Sequence, residues 1–313
     1  SMLYRAKKNN FFDADEEDGN KTGGGIPHKF ITLENGNIVY DEFTELYWDL
    51  TSSEKMEFMQ AQEYIANLNA KMHGGYSDWR MPSLEELMSL MEPGIPHINP
   101  VFGEPNSKWS RDRSSFSSVW TVAFVEGKSY NISDIIIDKD QLMAVRGKPA
   151  ILSESQLGKI LKESDFFCKN TEWNASYANP NGAGVNNAYE LSQDGKTIFD
   201  RTTGFYWTQT LSNSMNYEEA LQYIQDLNTD KFGQFNNWRL PSLKEIMTII
   251  EPEEQGNGMH INPIFNLNNQ KFVNTRERYS IGVTWCVNLN GGFLVRCPYR
   301  FYSGVLAVRD ESR

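Results

Sequence analysis

An internal repeat constrains this chain more than any other feature. Asp78-Trp79-Arg80-Met81-Pro82-Ser83-Leu84-Glu85-Glu86-Leu87-Met88 recurs as Asn237-Trp238-Arg239-Leu240-Pro241-Ser242-Leu243-Lys244-Glu245-Ile246-Met247, an offset of 159 residues from Trp79 to Trp238. Tyr47-Trp48 matches Tyr206-Trp207, Glu63 to Asn69 matches Gln222 to Asn228, and Glu92-Pro93 matches Glu251-Pro252, all at that offset. Further on, His97-Ile98-Asn99-Pro100 matches His260-Ile261-Asn262-Pro263, and Ala144-Val145-Arg146 matches Ala307-Val308-Arg309, both offset by 163 residues. Trp120 pairs with Trp285. Order is kept and the offset drifts only between motifs, so this is a tandem duplication. A chain of 313 residues also exceeds what one hydrophobic core usually serves.

The copies agree in physical design as well as in letters. Ala61, Tyr64, Ile65 and Leu68 lie on one helical face, and Ala220, Tyr223, Ile224 and Leu227 repeat it. Ser83 with Glu86, and Ser242 with Glu245, read as capping boxes opening a second helix. Pro93 and Pro252 stop that helix. Strand-like runs at 30–33, 37–40, 46–48, 119–124 and 142–145 surround the helices of copy one, and 283–289, 292–297 and 305–308 follow those of copy two. Each copy therefore reads β-β-α-α-loop-β-β, an α+β domain of two helices on a small twisted antiparallel sheet. The expected division is a first domain at 1–150, a linker at 151–163 and a second domain at 164–313. The stretches 94–118 and 253–282 carry little periodicity and read as long loops.

Composition removes several function classes. The net charge is −11 and both halves are acidic, so neither offers the basic footprint of a nucleic-acid binder. An anionic membrane surface is disfavoured for the same reason, and no apolar run is long enough for a membrane span. Met2 as a native start implies a cytoplasmic protein, whereas a removed leader implies a secreted or cell-envelope one. Cys168, Cys286 and Cys297 are too few for a disulfide scaffold and lack zinc-ligand spacing.

The phrase order resembles the Lcl C-terminal domain family. Copy two supplies Phe199-Asp200-Arg201-Thr202-Thr203-Gly204-Phe205-Tyr206-Trp207, then Trp238 to Glu245, Ile261 to Phe265 and Trp285. Copy one supplies Tyr40-Asp41 through Trp48, Trp79 to Leu87, Ile98 to Phe102 and Trp120, departing at Glu45 for Gly and Met81 for Leu. The resemblance implies a C-type-lectin-like fold, distantly similar to the formylglycine-generating enzymes. Fold analogy alone does not give function.

Candidate sites are few. Trp79-Arg80 and Trp238-Arg239 read as helix anchors, and His97 and His260 as hydrogen-bonded turn histidines. The acidic run Asp13, Asp15, Glu17 and Asp18 reads as a solvated loop. Glu104-Pro105-Asn106 spells the sugar-specifying tripeptide of calcium-dependent lectins, a carboxylate and an amide oxygen for Ca²⁺. Copy two lacks an equivalent, so calcium-dependent carbohydrate binding is a minor alternative. The other alternative, implied by the likeness to the formylglycine-generating enzymes, is a copper oxidase at Cys286 and Cys297, since soft thiolates select Cu(I). The leading expectation is a non-catalytic binding protein with no cofactor, recognising a protein, small molecule or carbohydrate. Its ligand-binding residues would be Trp109, Arg111, Arg113, Tyr130 and Asn131 in copy one, and Asn288, Asn290, Arg296, Tyr299, Arg300 and Tyr302 in copy two.

Overall fold

Two units, Ser1–Pro149 and Ala150–Arg313, make up the chain. The structure, a computed structural model, describes residues 11–14, 19–33, 36–51, 54–115, 117–132, 138–147 and 151–310, with 130–132 described in backbone only. The first unit runs β1 (Phe30–Thr32), β2 (Ile38–Asp41), β3 (Leu46–Asp49), β4 (Lys55–Met56), α1 (Phe58–Ala70), α2 (Leu84–Ser89), β5 (Lys108–Arg113), β6 (Val119–Ala123), β7 (Lys128–Ile132), β8 (Asp140–Gln141) and β9 (Val145–Arg146). The second runs α3 (Glu154–Glu163), β10 (Tyr189–Leu191), β11 (Thr197–Asp200), β12 (Phe205–Thr208), α4 (Tyr217–Thr229), α5 (Leu243–Met247), β13 (Phe272–Ser280), β14 (Val283–Asn288), β15 (Phe293–Pro298) and β16 (Val308–Asp310). This is the expected α+β class, built twice.

Each unit has a base sheet whose last strand returns to its first three, in the orders β1-β2-β3-β9 and β10-β11-β12-β16. The registers are the same: Tyr40 faces Tyr47 as Phe199 faces Tyr206, and Trp48 faces Val145 as Trp207 faces Val308. A second sheet holds the late strands, β5-β6-β7 extended by β8 and β4 in the first unit and β13-β14-β15 in the second.

The tryptophan before each short helix is tied down identically. Asn69 Nδ2 donates to the Trp79 carbonyl at 2.9 Å and its Oδ1 accepts the Trp79 amide at 2.7 Å. Asn228 does the same for Trp238 at 2.9 and 2.6 Å. One amide side chain thus joins the end of the long helix to the start of the next element. The apolar faces then close the cores, with Ile38, Leu68, Trp79 and Ala144 together in the first unit and Trp207, Ile246, Trp285 and Val308 in the second.

Three expectations need correction or refinement. The stretches read as long loops contain β5 and the nine-residue β13, because alternation in Val273-Asn274-Thr275 was broken by the charged Arg276-Glu277-Arg278. The segment 151–163, whose Leu157, Ile160 and Leu161 the sequence puts on one face of a short helix, forms α3, with Leu157 and Leu161 buried in the second core. The duplication also begins earlier than the quoted motifs. Asn20 Nδ2 donates to the Phe11 carbonyl and Asn179 Nδ2 to the Phe166 carbonyl, each at 2.9 Å. Gly23 and Gly182 pass so close to those carbonyls that a Cβ would lie 2.0 and 2.4 Å from the oxygens. Asp13 is consequently buried and accepts the Ser129 hydroxyl at 2.7 Å rather than lying in a solvated loop. Asp15, Glu17 and Asp18 lie outside the described residues.

Candidate functional site

The residues both copies share act on the scaffold. Arg80 donates from Nη1 and Nη2 to the two Glu86 oxygens, and Arg239 likewise to Glu245. The same carboxylates close the capping boxes by accepting the Ser83 and Ser242 amides at 2.7 Å. The arginines therefore anchor the helix start chiefly through its capping carboxylate. His97 and His260 place Nδ1 2.8 and 2.9 Å from the carbonyls of Glu92 and Glu251. Phe12 and Phe167 stack on their rings. Gly127 and Gly292, at φ 64° in both units, are required there: a Cβ would lie 2.6 and 2.8 Å from the imidazoles.

The copies part company on the late strands. Ser110 Oγ donates to the Trp120 carbonyl as Thr275 Oγ1 does to that of Trp285. The Arg111 amide donates to Pro82 as that of Arg276 does to Pro241. These contacts fix the alignment, so Trp109, Thr121 and Ile132 correspond to Asn274, Cys286 and Cys297. In the first unit Trp109 is fully buried, meets Phe58 edge-on at 5.7 Å and donates from Nε1 to the Met56 carbonyl at 2.8 Å. In the second, Tyr217 at the Phe58 position stacks instead on Tyr299 at 4.9 Å.

The second unit places small polar groups where Trp109 and its neighbours lie. Cys286 Sγ donates to Asn274 Oδ1 at 3.3 Å, and Cys297 lies diagonally across from Cys286 on the paired strand β15. The neighbouring Cys286 thiol, together with burial, pushes the Cys297 thiol well above its ordinary range. Asn274 Nδ2 is buried with no hydrogen-bond partner. Asn274 was missed in the sequence because it lies in the stretch read as loop; alternation at 273–275 was the available signal.

The expected ligand-binding residues separate by exposure. Trp109 and Tyr299 are core residues, because each fills space against the first aromatic ring of the long helix. Arg111 and Arg113 are exposed, and Arg113 lies over the Phe58 ring. The side chains of Tyr130 and Asn131 lie outside the described residues. Arg300 is exposed, and Tyr302 is 57% exposed, beside Phe301 in one turn. Arg296 pairs with Glu154 at 3.2 Å and lies over the Tyr279 ring. Asn288 Oδ1 accepts the Asn290 and Gly291 amides, and Asn290 Nδ2 donates to the Gly258 carbonyl, so both help build a hairpin tip.

Glu104 is exposed, and its carbonyl accepts the Asn106 amide at 2.8 Å. Among the described residues no group of three or more His, Cys, Asp or Glu side chains is placed to hold a metal ion. No helix among them is long and apolar enough to cross a membrane. A shallow depression of about 520 Å³ on the second unit is lined by Glu154, Ser155, Gly158, Lys159, Lys162 and Ser176. It opens beside the Glu154–Arg296 pair.

One interior feature of the first unit went unread in the sequence. Lys108 is buried, and its ammonium donates to Gln141 Oε1. Burial pushes the amine down to about 8, and pushes the neighbouring Asp140 carboxyl up to about 6. The corresponding residues of the second unit are Val273, Gly304 and Ser303.

No curated protein matches the chain. The Lcl C-terminal domain matches twice, over residues 37–146 and 196–309, which are the two halves of the duplication without their leading segments. The chain belongs to the Lcl C-terminal domain family, as a tandem pair.

Proposed function

We propose that this chain is a non-catalytic recognition protein whose second unit presents the ligand-contacting surface on its late strands. The observation that carries the reading is the Arg300-Phe301-Tyr302 turn. It holds an exposed guanidinium and two exposed rings, Phe301 standing edge-on to Phe272. Arginine and tyrosine are favoured anchors of binding sites, and the turn lies among the late strands, where the two copies diverge. Each unit is read as C-type-lectin-like, supported by a last strand that closes the base sheet beside the early ones. The ligand class is a protein, small molecule or carbohydrate.

The test is a thermal-shift screen of the full chain against panels of glycans, peptides and metabolites, repeated with Arg300→Ala and Tyr302→Ala. Ligands that stabilise the wild type and lose at least about tenfold in affinity with either variant support the reading. Ligands bound equally by wild type and both variants refute it.

A second reading, a copper-dependent oxidase centre in the second unit, gains from one observation: Cys286 and Cys297 are buried diagonal neighbours on the paired strands β14 and β15. Two thiols suit a soft monovalent cation, and that ion would supply redox chemistry. Competition for Cu(I) against a chromogenic chelator tests it. Uptake that Cys286→Ser abolishes would favour this reading, and no uptake would remove it.

A further inference from the structure

His28 sits between two acceptors. Its Nδ1 lies 2.7 Å from Asp41 Oδ2 and its Nε2 2.7 Å from the Ser89 carbonyl oxygen, with 3% of the side chain exposed. A carbonyl oxygen only accepts, so Nε2 carries a proton. Asp41 also accepts the Thr44 hydroxyl and the amides of Lys29 and Phe43. A carboxylate holding that many donors is ionised, so Nδ1 donates as well. With both nitrogens donating, the ring is an imidazolium.

The surroundings favour that charge. Ser89 ends α2, where the helix dipole favours a cation. Glu92, just beyond, adds negative charge, and Phe30 stacks on the ring at 4.9 Å. The nearest lysine in sequence, Lys29, is turned to the surface, where it pairs with Glu42 at 2.7 Å. Burial opposes the charged form, but the Asp41 bond and charge and the Ser89 carbonyl outweigh it, so the imidazole is held above its ordinary range.

The second unit keeps the helix-end half of this clasp, without a charge. Asn187 stands at the His28 position, and its Nδ2 donates to the Thr248 carbonyl at 2.7 Å, Thr248 being the counterpart of Ser89. Asp200, the counterpart of Asp41, accepts the Ala188 and Thr202 amides and the Thr203 hydroxyl. Asp41 and Asp200, Ser89 and Thr248, and Thr44 and Thr203 keep their chemistry, and only the imidazole is replaced, by an amide.

We propose that His28 is a proton-operated clasp, fastening the leading segment of the first unit to β2 and to the end of α2 while both ring nitrogens are protonated. Loss of the Nδ1 proton sets a ring lone pair against the Asp41 carboxylate, and the clasp loosens. The Asn187 clasp holds whatever the pH. The two units thereby respond differently to alkalinisation. Because the folded imidazole titrates above the free one, the contribution is complete below about 6.5 and is lost as pH rises through the folded value.

Hydrogen exchange on the full chain between about pH 6 and 9 tests this, with residues 185–192 as internal reference for residues 26–33. The protection ratio of the two segments should fall with rising pH. The expected total is roughly tenfold for each unit separating the folded and free values. His28→Asn, which copies the second unit, should flatten the ratio, and Asn187→His should move the dependence to 185–192. A ratio that is flat in the wild type, or a slope that His28→Asn retains, overturns the proposal. Should His28→Asn fail to fold, imidazole nitrogen shifts of the wild type decide. Two protonated nitrogens at neutral pH uphold the clasp, and a neutral tautomer overturns it.

Discussion

Arg80 and Glu86 meet through two parallel hydrogen bonds of 2.7 and 2.6 Å, and Arg239 and Glu245 repeat them at 2.6 and 2.7 Å. Each glutamate is simultaneously the closing residue of a capping box, so one carboxylate joins the helix start to the residue after the anchoring tryptophan.

Replacing either glutamate by Gln should therefore unlink two features at once. The arginines are partly exposed, which puts the loss at the low end for breaking a pair, about 3 kcal/mol. Glu86→Gln should lower the denaturation midpoint of the first unit alone, and Glu245→Gln that of the second. Equal effects on both transitions would contradict two separately built frames.

Acid should act through the same two groups. Burial works against their ionised forms, but the arginines and the serine amides outweigh it and hold both carboxyls below the usual range. Their contribution is full above the unfolded value, near 4.5, and is lost as pH falls through the folded one. Urea midpoints measured on the acid side should fall for both units. The Gln variants should lose that slope in the mutated unit.

Glu45 occupies the left-handed region at φ 61°, where the second unit has Gly204 at φ 76°. Both amides donate to the preceding aspartate carbonyl at 2.8 Å. A side chain there costs about 1–2 kcal/mol, partly offset by the extra freedom that glycine loses on folding. Glu45→Gly should stabilise the first unit by about 0.5–1 kcal/mol, read as a higher urea midpoint with an unchanged slope.

Lys108 should show the opposite behaviour to His28. Burial lowers its amine from 10.5 to about 8, so between those values the unfolded chain holds more protons and stability rises with pH. Lys108→Met, which imitates the apolar Val273 of the second unit, should remove that alkaline rise. At neutral pH it should be neutral or stabilising by about 1–2 kcal/mol. A loss of several kcal/mol would mean that the ammonium is well compensated.

The thiols should be silent in the native protein. Cys168, Cys286 and Cys297 are at most 2% exposed, and burial raises Cys168 to about 11. At about pH 8, where a free thiol is partly ionised, iodoacetamide should label none of them, and all three after denaturation. Native labelling of Cys286 and Cys297 by mass spectrometry would instead show that solvent reaches that pair.

Much of the frame was readable because its signals are local. Ser83 and Glu86 lie one helical turn apart, and the Asp78 to Met88 phrase carries its own cap, so neither needs the rest of the chain to be recognised. β13 was not readable, because the charged run of exposed Arg276, half-buried Glu277 and buried Arg278 hides the alternation, and only pairing with β14 reveals it. The leading repeat of Phe11, Asn20 and Gly23 was present in the letters. Its meaning depends on a side-chain bond across nine residues.

By itself the sequence determined that there are two copies, that each has two helices of which the short one carries the same Ser-Glu cap in both, and that the chain is acidic. Those properties follow from composition and from interactions within a few residues. Tertiary structure decided which residues meet at distance. It buried Trp109 against Phe58 and set Cys286 beside both Asn274 and Cys297. It also closed His28 onto Asp41 and Ser89, thirteen and sixty-one residues away. Such contacts depend on strand register and on the path of the backbone, which a single sequence does not display.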